Sequence, residues 1–162
     1  MKFCKYQGAG NDFVIADNMD LSIAASDIPA LAADVCDRRF GVGADGFILA
    51  EPSGEADVKM DFYNADGSEA SMCGNGIRCF AKFVTDHSIV RKTEFSVETG
   101  DGVKHIQVLE KTPSVTRVRA DMGTFSDKRN VKSCGFETVS MHLGVPHAVI
   151  FSDAQHIDGA CP

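Results

Sequence analysis

The sequence lacks any run of Lys or Arg, and its formal net charge over 162 residues is -7. That balance argues against nucleic acid or an anionic membrane as the main partner. A small anionic ligand stays open, because backbone N–H groups bind anions without a basic patch. No apolar stretch approaches ~18 residues, so nothing reads as a membrane span. The opening Met1-Lys2-Phe3-Cys4-Lys5-Tyr6 turns polar at once and has no apolar run of secretory-leader length. Internal repeats and low-complexity segments are absent. Cys-x-x-Cys is absent too, and His142 with His147 is not a zinc-helix spacing, so no metal is expected. Without Gly-x-Ser-x-Gly, serine hydrolase chemistry has no anchor.

What is present is ordinary for a globular chain: 44% hydrophobic and 24% charged residues. The length suits one domain or slightly more, and such a chain buries roughly 70% of its unfolded surface. The six cysteines (Cys4, Cys36, Cys73, Cys79, Cys134 and Cys161) have irregular spacings. With no leader, they are expected as free thiols in the cytoplasm. Asp12–Ala16 reads as a short buried strand. Ser26 should cap a helix with Pro29 in its first turn, running from Ala30 to about Arg39. Phe47–Ala50 reads as a strand, and Val58, Met60 and Phe62 alternate as in a half-buried one. Ile77, Phe80, Ala81 and Val84 recur on one helix face. Thr93–Glu98 and Val103–Leu109 flank a turn as a hairpin. Val115–Met122, Thr138–Met141 and Ala148–Phe151 read as further strands, with a boundary near Thr112-Pro113-Ser114. Asp57, Asp61 and Asp66 read as solvated strand and turn residues.

The strongest chemical signal is Cys73-Gly74-Asn75-Gly76-Ile77-Arg78-Cys79. A thiol directly before a helix meets unpaired N–H groups and the positive end of the dipole. That setting favours thiolate. The glycines let a ligand approach the backbone, whose N–H groups can hold a carboxylate. The competing reading is a buried, inert cysteine in a Gly-rich turn, and Cys79 is expected to be of that kind. Gly41-Val42-Gly43-Ala44-Asp45-Gly46 matches G-x-G-x-x-G, but a helix precedes it and a strand follows. A dinucleotide loop needs the reverse order.

Tyr63-Asn64-Ala65-Asp66-Gly67-Ser68-Glu69 followed by Met72-Cys73-Gly74-Asn75-Gly76-Ile77-Arg78-Cys79 resembles the central motif of diaminopimelate epimerases. The opening Lys5-Tyr6-Gln7-Gly8-Ala9-Gly10-Asn11-Asp12-Phe13 is similar to another of that family's motifs. So are Arg38-Arg39-Phe40-Gly41-Val42-Gly43-Ala44-Asp45-Gly46 and Gly144-Val145-Pro146-His147. These motifs stand in the right order along nearly the whole chain. The resemblance implies an α+β fold of pseudo-symmetric halves, each wrapping a mixed or antiparallel sheet around a central helix. Residues 1–114 would be the first half, carrying Cys73, and residues 115–162 the opening strands of the second. It also implies a reaction: inversion of one α-carbon between LL- and meso-diaminopimelate, in lysine and peptidoglycan precursor synthesis. Two cysteines on opposite faces of the substrate do this without pyridoxal phosphate, metal or other cofactor. Cys73 matches one of them. Asn11, Asn64, Gly74, Asn75 and His147 match substrate-binding residues. Diaminopimelate is the implied partner, in the cytoplasm, and a homodimer is compatible.

Two departures stand out. Val145 occupies a position where many relatives carry a substrate-contacting asparagine. The family's second cysteine lies in an Ala-Cys-Gly-Thr-Gly segment that this sequence does not contain. Cys161 follows Gly159-Ala160, but Pro162 comes next, so Cys161 is not assigned as the second base. The 162-residue chain alone is therefore expected to be nearly inactive. Two alternatives are another cofactor-independent racemase of this fold, such as a proline racemase relative, and a non-catalytic amino-acid-binding or pairing half-domain.

Overall fold

The structure is a computed structural model that describes residues 2–113, 116–133, 135–143 and 145–151. The chain divides into two compact units, Met1–Asp121 and Met122–Pro162. The first unit holds a seven-stranded mixed sheet in sequence order: β1 (Phe3–Gly8), β2 (Asn11–Asp17), β3 (Gly46–Glu51), β4 (Val58–Asn64), β5 (Glu94–Thr99), β6 (Gly102–Lys111) and β7 (Thr116–Ala120). Pairs β2–β3 and β4–β5 are parallel and the others antiparallel. The parallel pairs require crossovers. Helix α1 (Ile28–Cys36) lies in the first, and α2 (Gly74–Asp86) in the second. β7 lies beyond the expected boundary at Ser114, yet it hydrogen-bonds to β6 and so belongs to the first sheet.

Strand alternation sends the two faces of the sheet to different helices. Val14, Ala16, Phe47, Leu49 and Tyr63 join Ile28, Ala32 and Cys36 of α1 in one buried cluster. On the opposite face, Ile48 and Met60 lie against Gly76 of α2, where an added Cβ would stand 3.3 and 3.4 Å from their side chains. α2 touches the edge strands β1 and β7 as well as β2 and β3, so the sheet curls around it. Its inward stripe, Ile77, Phe80, Ala81 and Val84, is wholly buried. The 3.6-residue repeat of those side chains is what makes α2 the core of the unit. A β-strand alternation of Phe95, Val97 and Ile106 closes the core from the β5–β6 hairpin.

Helix α1 differs from expectation at both ends. Its N-cap is Asp27 rather than Ser26, whose hydroxyl donates to the Asp27 carboxylate instead of a helix N–H. It stops at Cys36, three residues short of Arg39. The cause is Asp37, whose Oδ1 takes the N–H groups of both Arg39 and Phe40 at 2.7 Å and turns the chain out of the helix. Asp61 also departs from expectation. Its side chain is only 13% exposed and lies 3.6 Å from Lys59. Burial raises its pKa above the usual carboxylate range.

The second unit contains an antiparallel three-stranded sheet, ordered β10 (Val145–Ile150), β9 (Phe136–Leu143), β8 (Ser126–Ser133). Thr138 is buried there, and every residue of β8 is exposed. Among the described residues, no helix is long and apolar enough to cross a membrane.

Candidate active site

One end of the first sheet gathers the residues singled out in the sequence. Asn11 opens β2 opposite Gly8, Gly46 opens β3 opposite Asn64, and Asn64 closes β4. Because β2 and β3 are parallel, with Phe13 beside Gly46, these positions share one end of the sheet. The turn joining β1 to β2 runs through Ala9 (φ 52°) and Gly10 (φ 97°), a left-handed pair that needs a small residue. Asn64 begins the next turn: its amide donates to Ser68 Oγ at 3.0 Å, and its carbonyl accepts the Gly67 N–H at 3.0 Å. Gly67 (φ 84°) faces the Pro29 carbonyl, where an added Cβ would stand at 2.4 Å. No side chain fits there, so the turn is held against α1.

From this turn the chain leads to Cys73, the N-cap of α2. Cys73 has extended backbone (φ -143°, ψ 119°), and its Sγ accepts the Gly76 N–H at 3.3 Å. The thiol thus takes the place that Ser or Asp takes at other helix starts. The Cys73 carbonyl accepts the Ile77 N–H at 2.9 Å and begins the helix ladder. Helix geometry provides no internal partner for the N–H groups of Gly74 and Asn75. Cys73, a half-buried residue, therefore carries its sulfur at the positive end of a thirteen-residue helix, next to two donors. The hairpin turn props this segment from behind: an added Cβ on Gly100 would meet Ser71 Cα at 2.8 Å.

The other described thiols differ. Cys36 and Cys79 are buried, and burial pushes each of their pKa values up to about 11. Cys4 is half-exposed, with Sγ 3.3 Å from His87 Nε2 at the far end of α2. Cys161 lies outside the described residues.

Asn75 reaches from the first turn of α2 to β2, its Nδ2 donating to Asn11 Oδ1 at 2.8 Å. Asn11 Nδ2 in turn donates to Asp45 Oδ2 at 3.0 Å. The structure therefore brings Asn11, Cys73, Gly74 and Asn75 together and places Asn64 at the same end of the sheet. His147 belongs to the second unit, on β10, with Nε2 3.3 Å from the Leu143 carbonyl. Among the described residues, no group of three or more His, Cys, Asp or Glu could hold a metal.

Sequence reasoning assigned no role to the charged residues behind the site. Asp12 and Asp45 exchange backbone-to-carboxylate hydrogen bonds at 3.0 and 3.1 Å. Arg38 bridges both carboxylates at 2.7 Å. Their signal was visible as charges inside Gly-rich loops, where solvent exposure is the commoner reading. The Arg38 hydrogen bond leads in holding the Asp12 pKa far below its ordinary value, and the Asn11 amide leads in lowering that of Asp45. A lowered folded-state pKa means that the unfolded chain binds more protons. The stabilisation is present above the unfolded value of about 3.9 and is lost as pH falls through the folded values. Acid unfolding of the chain should accordingly show a stability loss below about pH 4. Arg38→Gln should flatten that slope, as measured by urea midpoints across pH.

The sequence profile of the family described as diaminopimelate epimerase matches residues 3–126. The chain belongs to the diaminopimelate epimerase family. It is 42% identical to the diaminopimelate epimerase of Alkaliphilus metalliredigens, over 98% of this chain and 62% of that protein. It is 40% identical to that of Methanothermobacter thermautotrophicus, over 96% of this chain and 62% of that protein. The chain thus spans about three-fifths of the length of these curated relatives. In fold it is similar to a PhzF-family phenazine biosynthesis protein from Bacillus anthracis. There the TM-score is 0.68 and the identity 17%, over 93% of this chain and 56% of that one. It is also similar to a probable proline racemase from Agrobacterium radiobacter, with TM-score 0.66 and 15% identity over 91% of this chain and 51% of that one. The α+β fold with a mixed sheet curled around a helix is common ground with these proteins.

Proposed function

We propose that this chain supplies one wall of the active site of a cofactor-independent diaminopimelate epimerase, with Cys73 as one of its two bases. The observation that carries the proposal is the placement of Cys73. Its sulfur caps α2, next to the unpaired Gly74 and Asn75 N–H groups. In the forward step the Cys73 thiolate takes the α-proton and becomes a thiol. A second thiol on the opposite face delivers a proton to the carbanion and becomes thiolate. We place that second thiol in the length of the relatives that this chain does not span. The carbanion needs electrostatic stabilisation in a water-poor site. Helix N–H groups on the substrate carboxylate supply part of it.

Asn11, Asn64 and Asn75 are the proposed polar contacts to the two charged ends of the substrate, since amides both donate and accept. His147 is a proposed contact on the family resemblance alone. The first epimerase half, on this reading, is the unit that carries Cys73 and extends through β7, and a cytoplasmic setting suits a chain with free thiols. Calorimetric titration with meso-diaminopimelate tests the reading. Binding that weakens about tenfold in Asn75→Ala supports it. No interaction with either the meso or the LL compound overturns it for this chain.

A further inference from the structure

The polar side chains behind the site form a hydrogen-bonded series that runs in one direction. Arg78 Nη2 donates to Asn75 Oδ1. Asn75 Nδ2 donates to Asn11 Oδ1 at 2.8 Å, and Asn11 Nδ2 donates to Asp45 Oδ2 at 3.0 Å. A guanidinium is a donor only and an ionised carboxylate an acceptor only, whereas an amide is both and can flip. We propose that Arg78 and Asp45 are positioning residues that lock the orientation of Asn75 and Asn11 from opposite ends. Each amide is thereby left with one uncommitted N–H for a ligand carboxylate. The ligand half of this inference rests on the diaminopimelate reading above; the orientational half does not.

Donor meets acceptor at every link of the series. Flipping Asn11 would set its oxygen against the Asp45 carboxylate and its nitrogen against the nitrogen of Asn75. Flipping Asn75 would turn its NH2 toward the Arg78 guanidinium. Each flip breaks two bonds and creates two repulsive contacts, one of them with a full charge. The Asp45 anchor is itself fixed. Its Oδ2 also accepts the Asp12 N–H at 3.0 Å, and its Oδ1 takes Arg38 Nη2 at 2.7 Å. At the other end, Arg78 and Asn75 lie three residues apart on α2, where side chains meet on one face. Because Asn11 opens β2, the series also ties the start of α2 to that end of the sheet.

Asp45→Asn tests this with almost no change of shape. An amide at position 45 has only one oxygen to offer. Turned toward Asn11 and Asp12, it sets its NH2 against Arg38; turned toward Arg38, it sets its NH2 against Asn11 and Asp12, so either orientation weakens the anchor that the carboxylate supplies. The readout is solvent exchange of side-chain amide protons in the 15N-labelled full chain, with signals assigned by Asn11→Ala and Asn75→Ala. In the parent chain, one proton on each of Asn11 and Asn75 should exchange at least about tenfold more slowly than in free asparagine. In Asp45→Asn the protection should fall at both residues, including Asn75, which does not touch residue 45. Arg78→Met should give the same loss from the other end, and it serves if Asp45→Asn fails to fold. Free-amide rates in the parent chain, or a change confined to Asn11 in Asp45→Asn, would overturn the lock. Titration with meso-diaminopimelate separates the two halves. Affinity about tenfold lower in Asp45→Asn supports the ligand role, and equal affinity overturns it. A parent chain with protected amides that does not bind the compound upholds the lock and fails the diaminopimelate reading.

Discussion

Changing Cys73 to alanine in a complete epimerase that carries this chain should lower kcat/KM by about 10^4-fold or more, the upper end of what a positioned acid–base group contributes. Cys73→Ser should be as inactive, because a serine hydroxyl is a far weaker acid than a thiol and offers almost no anion near neutral pH. The two variants should part in stability. Cys73 Sγ caps α2 through the Gly76 N–H, and alanine removes that acceptor. The cost should be up to about 1 kcal/mol. Serine is a preferred N-cap, so Cys73→Ser should match or exceed the parent. A serine variant that folds well and is inactive separates the chemical role of the sulfur from its structural one. Urea unfolding read beside the epimerase assay makes the distinction. A serine variant within tenfold of the parent rate would remove Cys73 from the proposed mechanism.

Phe80→Ala should destabilise the first unit by about 3–5 kcal/mol. Phe80 is wholly buried on the inner face of α2, with Ile77, Ala81 and Val84 alongside. Truncation removes a ring from a close-packed interior and leaves a cavity that the curled sheet cannot fully close. A domain has only about 5–15 kcal/mol of net stability, so this loss should leave the unit marginal. The consequence reaches the site, because α2 presents Cys73, Gly74 and Asn75 from its first turn. Phe40→Ala is the matching control. Phe40 is 93% exposed, and its removal should change stability by no more than about 0.5 kcal/mol. A urea titration of the two variants measures both.

Much of the site was legible in the sequence because its elements are local. The Gly-rich turn before an amphipathic pattern announces a helix start, and α2 begins at Gly74, directly after Cys73. The 3.6-residue repeat and the alternation of Val58, Met60 and Phe62 are likewise local signals, and α2 and β4 follow them. What was not legible is what depends on partners far away in the chain. β1 gives no clear alternation, because Phe3 sits with Lys5 and Gln7 on the more exposed face while Cys4 and Tyr6 turn the other way. β8 reads Ser-Asp-Lys-Arg-Asn-Val-Lys-Ser, with no buried face to leave a pattern, and only its pairing with β9 makes it a strand. The contacts of Arg38 and Asn75 belong to the same class. Each joins residues that the packing of helix or loop against the sheet brings together, Asn75 to Asn11 across 64 positions and Arg38 to Asp12 across 26. Asp61 misled for a different reason. A charge alternating with apolar residues usually faces water, but here the second face of the sheet is also covered.

The central claim is that the sulfur of Cys73, unlike the other thiols beside it in the fold, is available as a base. Competitive alkylation of the folded chain with iodoacetamide, followed by peptide mass analysis across pH, tests it most directly. The account predicts that near neutral pH Cys73 is modified well before Cys36 and Cys79, whose burial holds their pKa values up near about 11. It also predicts that meso-diaminopimelate slows the reaction at Cys73 alone. Equal rates at Cys73 and the two buried thiols, or a Cys73 rate unchanged by saturating meso-diaminopimelate, would contradict it.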